Sequence, residues 1–219
     1  MSGFPGSPRL IKGGIVLIDA DTSAVQRVIA LQYNPDTLTR SLQIQAMHAD
    51  GGDRAEALRL KGPPVETLKL EAEIDATDQL EFPGQNAAVA QSGIFPQLAA
   101  LETMVYPTSA QLRANDTLAQ LGTLEIVPME TPLALFVWSQ SRILPVRITE
   151  FSITEEAFDT ALNPIRAKVS LGLRVLSVDD VPSGHKAASL FMNYLQQKER
   201  LAANGAAQPL SALGISGVP

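Results

Sequence analysis

The chain has 219 residues, a formal net charge of -6, 45% hydrophobic residues and only 18% charged ones, against about 25% charged in an average soluble domain. It contains no cysteine, which excludes disulfides, thiolate metal sites and cysteine nucleophiles. The acidic balance argues against a nucleic-acid or anionic-lipid surface, and no window reaches the roughly 20 consecutive apolar residues of a membrane span.

Residues 1–9 are rich in Gly, Pro and Ser and read as a flexible arm, with no apolar stretch of the kind that forms a secretory signal. A strand is expected over Leu10 to Asp19, where Ile15–Ile18 lie between Gly13-Gly14 and Asp19-Ala20-Asp21. A second follows over Val25 to Tyr33, joined to the first by a hairpin. Asn34-Pro35-Asp36 marks a turn, and Leu38 to Ala46 suggests a third strand. Residues 48–64 form a long polar loop. The segment 67–75 then alternates cleanly, with Leu68, Leu70, Ala72 and Ile74 on one face and Thr67, Lys69, Glu71, Glu73 and Asp75 on the other. That is a half-buried antiparallel strand.

Residues 76–92 read as a second polar loop. Ile94, Leu98, Leu101 and Val105 fall at helical spacing, which predicts a helix over 95–106 stopped by Pro107. Leu133–Trp138 is apolar on both faces, so this strand is expected to be covered on both sides. Val146 and Ile148 alternate in one phase and Phe151 and Ile153 in the other, which predicts a β-bulge near Glu150. Ile165 to Val175 alternates without interruption. Ala187, Leu190, Phe191, Tyr194, Leu195 and Leu201 give an amphipathic helix over about 185–203. The expected fold class is mainly β with helices (α+β): an antiparallel β-barrel or sandwich packed on one helix, plus a C-terminal helix. The expected organisation is an arm (1–9), a β domain (10–178) and a C-terminal helix with tail (179–219). Truncation after Asp180 is expected to leave the β domain folded.

Groups able to do chemistry are scarce. His48 and His185 are the two histidines, and both read as surface residues. Asp75, Asp78 and Glu81 make the best cation candidate, but the alternating acids and sharp-turn glycine of a calcium loop are absent. No phosphate-binding loop, dinucleotide fingerprint, nucleophile elbow or zinc-helix motif occurs. Gly13-Gly14 and Gly51-Gly52 need only turns. No catalytic residue, metal or cofactor is expected. Apolar residues beyond the regular core set, including Phe136, Trp138 and Leu176, mark partner contacts.

Taken in order, several segments resemble one family. Leu31-Gln32-Tyr33-Asn34-Pro35-Asp36-Thr37-Leu38 looks like the F-x-[FY]-N-P-x-x-[LI] signature of the tube and baseplate proteins of phage-like contractile injection systems. Pro64–Asp75, Gly93–Pro107 and Pro132–Ser139, with Trp138, resemble that family's next strand, its helix and its tryptophan-bearing strand. Leu144–Val178, with Phe158-Asp159 and Asn163-Pro164-Ile165-Arg166-Ala167, resembles its F-D…P-x-R-A block. The resemblance spans roughly residues 10–178. Many members carry a C-terminal LysM module, whereas 180–219 here reads as a helix and tail.

The resemblance implies a tube-protein-like fold and a structural role. The chain would be a tube-initiating baseplate adaptor that forms a ring with itself, as a hexamer, between the spike protein and the inner tube protein. It would assemble in the bacterial cytoplasm into a particle. Expected interface residues are Arg54, Arg59 and Lys61 in the polar loop. Leu190, Phe191, Tyr194 and Leu195 of the C-terminal helix are expected to meet another baseplate component. The competing expectation is a monomeric ligand- or carbohydrate-binding β-barrel using its mouth near residues 48–64 and 76–92.

Overall fold

The computed structural model describes residues 11–46, 59–120, 122, 131–205 and 210–218. The N-terminal arm, His48, Arg54 and most of the first polar loop lie outside these residues. Seven strands make one antiparallel sheet: β1 (Gly14–Ile18), β2 (Val25–Ala30), β3 (Leu38–Gln43), β4 (Val65–Asp75), β5 (Leu133–Ser139), β6 (Arg142–Phe158) and β7 (Pro164–Val175). Their order is β2-β1-β5-β6-β7-β4-β3. Helices α1 (Thr77–Leu80), α2 (Ala87–Ser92), α3 (Phe95–Glu102), α4 (Ser109–Gln120) and α5 (Lys186–Ala203) complete an α+β fold.

The sheet curls without closing. Ile15 and Leu17 of β1 share one buried cluster with Leu68, Leu70 and Ala72 of β4, four strand positions away, and with Ile94, Leu98, Leu101 and Met104 at α3. Yet β2 and β3, the two ends of the order, do not pair. The expected closed barrel is therefore corrected to an open sheet, and no barrel mouth exists among the described residues. The long strand β6 is the reason. Its first part, through Val146, pairs with β5, while β7 follows it to Phe158. One strand thus serves two sectors of the sheet that face each other across the core.

The turn between the sectors falls at the expected bulge, where the β6–β7 register shifts between Ile148 and Glu150. The extra residue reverses the phase. Val146 and Ile148 before it, and Phe151 and Ile153 after it, all reach the main core. Gly172 lies opposite the bulge, and a Cβ there would come within 2.8 Å of Glu150 Cβ. On β5, Ala134 and Phe136 join the main core, while Leu133 and Leu135 form a second cluster with Ile18 and Ala187. Both faces of this strand are covered, as its two-sided apolar pattern predicts.

Four helices differ from expectation. The loop 76–92 contains α1 and α2, which at four and six residues are too short to carry a helical period. Helix α3 ends at Glu102, earlier than its spacing predicts, so Met104 is buried and Val105 is exposed. Thr103 Oγ1 donates back to Ala99 O (2.9 Å), and Arg27 Nη1 donates to Ala100 O (3.1 Å) and Thr103 Oγ1 (2.6 Å). Side chains thus meet Ala99 O and Ala100 O, while Leu101 O and Glu102 O accept from Met104 N and Val105 N, each at 3.0 Å. Helix α4, unassigned from the sequence, buries no residue.

Helix α5 forms where its periodicity places it, capped by His185, whose Nδ1 accepts from Ala187 N at 3.1 Å. It packs on its own sheet. Ala187 belongs to the second cluster, and Phe191 and Tyr194 to the main core.

Candidate functional site

The residues singled out by the motifs are built into the framework. Asn34 sits just beyond β2. Its Oδ1 accepts from Gly13 N (2.9 Å) and its Nδ2 donates to Ile11 O (2.9 Å), while Leu31 N donates to Gly13 O (2.9 Å). Asn34 therefore closes the open end of the β1–β2 hairpin. Two residues earlier, Gln32 Nε2 donates to Asp75 O (2.6 Å) and its Oε1 accepts from Asp75 N (3.0 Å). A side-chain amide here does what a neighbouring strand would do, clamping β2 to the end of β4. Pro35 is half-buried, and Tyr33 is exposed with its hydroxyl 3.3 Å from Gln32 Nε2. Gly13 does more than turn the chain. A Cβ there would approach Trp138 Cε3 at 2.8 Å, and Trp138 stacks on Phe136 at 5.8 Å.

The second motif block fastens the far end of the sheet. Asp159 closes the β6–β7 turn by accepting from Ala161 N, Asn163 N and Asn163 Nδ2, each at 2.8 Å. The hydrogen bonds from the Asn163 side chain and amide hold the Asp159 carboxyl below the ordinary value. Asn163 Nδ2 also donates to Gln91 O (3.2 Å), and Pro164 O accepts from Ile94 N (2.9 Å). Gly93 sits at φ +57 with its Cα hydrogens against Pro164 O. Gly93→Ala adds a Cβ where the backbone already touches and in a conformation alanine resists. It is expected to cost about 2–4 kcal/mol, read as a lower urea midpoint with unchanged slope.

Arg166 Nε and Nη2 each lie 2.8 Å from Asp75 Oδ2, and Ala167 is fully buried. Asp75 Oδ1 accepts from Thr77 N (2.7 Å) and the Thr77 hydroxyl. Burial pushes the Asp75 carboxyl up, but the Thr77 bonds and the Arg166 guanidinium outweigh it and hold the group below its usual range. A depressed folded value contributes stability above the unfolded carboxylate value of about 3.9, lost as pH falls through the folded value. Asp75→Asn is expected to cost about 1.5–3 kcal/mol near neutrality and to flatten the acid limb of stability against pH.

These bonds occupy both carboxylate oxygens of Asp75, one member of the Asp75, Asp78, Glu81 group. No cluster of three or more metal-ligating side chains occurs among the described residues, and no described helix is long and apolar enough to cross a membrane.

The expected interface residues divide. Arg59 and Lys61 are exposed beside β3, where Lys61 N donates to Gln45 O (2.8 Å). Phe191 and Tyr194 are 6% and 5% exposed and Leu190 and Leu195 are packed against the clusters. This face of α5 packs on the chain's own core. The residue the sequence reading passed over is Glu66, 3% exposed. It accepts from Tyr194 Oη (3.0 Å) and Lys198 Nζ (2.8 Å), with Arg40 Nε at 3.7 Å. Its place in the alternation of Leu68 and Leu70 was the available signal.

What remains open are strand edges. β3 pairs on one side only, with Val65 to Leu70 of β4. β6 beyond Val146 pairs only with β7. Among the described residues, the sector β6-β7-β4-β3 thus has a free edge on each side. Glu150, Glu155 and Glu156 lie along the open stretch of β6, whereas Arg59 and Lys61 lie in the segment that runs into β4, on the paired side of β3. Glu150 pairs with Lys69 (2.8 Å) and Glu156 with Lys168 (3.2 Å).

No family model matches the chain, and no curated protein is similar to it. Among solved structures, it is similar to a chain in the tail of an empty gene transfer agent particle. That match has 13% identity and a TM-score of 0.28, covering 75% of this chain and 90% of that one. A chain of the native gene transfer agent virion matches at 12% identity and a TM-score of 0.26, covering 74% and 90%.

Proposed function

We propose that this chain is a structural component of a phage-tail-like contractile injection particle, forming a ring that joins the spike to the inner tube. The observation that carries the reading is the pair of free edges. Three antiparallel steps separate β6 from β3, so the β6 edge of one copy meets the β3 edge of the next in antiparallel sense and extends the sheet. Such head-to-tail contacts close into rings when the rotation allows, and closure removes edges that otherwise invite aggregation.

The offset of the edges suits closure. Through β7, Glu150 is level with Lys69 and Glu156 with Asp75, whereas β3 is level with Val65–Leu70. The edges are displaced by about five residues over four strands, roughly 16 Å along against roughly 19 Å across. That corresponds to a strand tilt of roughly 40°, inside the roughly 35–45° of closed barrels. The ordered motif segments supply the tube and baseplate identity, and six copies is the number the resemblance implies. Negative-stain microscopy of particles made without this chain tests the role: sheathed tubes are expected to be missing, and normal ones would overturn it.

A further inference from the structure

The tip of the β6–β7 hairpin is built against its own interest. Leu162 is 77% exposed and Phe158 49%, and Leu162 holds φ +64, a left-handed conformation that suits glycine or asparagine and strains a leucine. Two unfavourable choices at one position call for a compensating contact. The tip is also rigid. Asp159 accepts three hydrogen bonds within it, and Asn163 ties it to Gln91. A rigid apolar knob loses little freedom on docking.

The same molecule has an unfilled apolar seat. A cavity of about 290 Å³ lies between β2, α3 and β4, walled by Val28, Ala30, Leu31, Ala72, Ile74 and Ala100. A dry cavity of about 150 Å³ already holds a benzene ring, so this one has room for a leucine with part of a phenylalanine. Gln97 lines it, and Gln97 Oε1 is buried without a partner among the described residues. That acceptor suits an N–H arriving with the knob. The seat exists because β3 leaves β4 after Leu70, so among the described residues β4 from Glu71 onward has no strand beside it on that side.

We infer that the knob of one copy seats in this cavity of the next. The inference rests on the ring reading above, and the edge register supports it. The free stretch of β6, from Thr149 to Phe158, is longer than β3. Centred on the neighbour's β3, it runs past Leu38, and Phe158 arrives level with the neighbour's Ala72–Ile74, where the cavity opens. The contact locks the ring at one end of each edge junction, and it gives Leu162 the burial that the isolated chain denies it.

Two variants of the full chain test this. In Leu162→Asn the left-handed position is relieved, so the thermal midpoint of the isolated chain is expected to hold or rise, while self-association measured by sedimentation weakens at least tenfold. Because the chain has no cysteine, copies carrying Leu162→Cys mixed with copies carrying Val28→Cys are expected to form a disulfide between chains under mild oxidation. Wild-type association by Leu162→Asn, with no such disulfide, overturns the knob and leaves the ring standing. A wild-type chain that stays monomeric at every concentration overturns the ring itself.

Discussion

Deleting α5 by ending the chain after Asp180 is expected to abolish cooperative unfolding, not merely to impair assembly. The helix supplies Phe191 and Tyr194 to the main core and Ala187 to the second cluster. Truncating one large buried aromatic costs about 3–5 kcal/mol. Removing the helix also takes away Tyr194 Oη and Lys198 Nζ, the two donors to the Glu66 carboxylate. Together these losses approach the whole stability of a typical domain, about 5–15 kcal/mol. Phe191→Ala alone should keep the fold but lose about 3–5 kcal/mol, read by urea denaturation. A truncated chain that still unfolds cooperatively would show that α5 is an appendage.

The second large effect is expected at the β6 edge. Along a paired strand, backbone N–H groups point alternately to one neighbour and the other. Of the adjacent exposed residues Thr154 and Glu155, one donates toward β7 and the other toward the open side. Proline at the first removes a ladder bond and destabilises the chain; at the second it leaves the monomer intact. Whichever of Thr154→Pro and Glu155→Pro retains the wild-type thermal midpoint is the edge probe. That variant is expected to abolish ring formation by size-exclusion chromatography with light scattering. A stable proline variant that assembles normally would remove the strand junction from consideration.

The motif residues change meaning once they are placed. Tyr33, Asn34, Pro35, Trp138, Pro164, Arg166 and Ala167 carry the family resemblance, and most of them prove to hold strands together. Asn34 closes the first hairpin, Arg166 pairs with Asp75, and Pro164 receives the start of α3. A sequence signature made of such residues reports a fold. The assembly surface proposed above uses residues with no motif: the β3 edge, the β6 edge and a strained leucine.

Much of the architecture was legible because its signals are local. The alternation in β4 and β7, the phase reversal at Glu150, the two-sided apolar run of β5 and the period of α5 are each set by neighbours within a few residues. The short helices α1 and α2 were invisible for the same reason, since four or six residues hold no period. The early end of α3 depended on Arg27, which is distant in sequence.

Taken alone, the amino-acid order determined the strands, the helices α3 and α5, the buried faces of the alternating strands and the low charge. Only the tertiary structure decided that the sheet stays open, that α5 belongs to the core and that Glu66 lies beneath it. Which edge finds a partner, and which helix face is already occupied, are long-range matters. They depend on how far β5 and β3 follow their longer neighbours, and periodicity along the chain does not encode where a neighbouring strand stops.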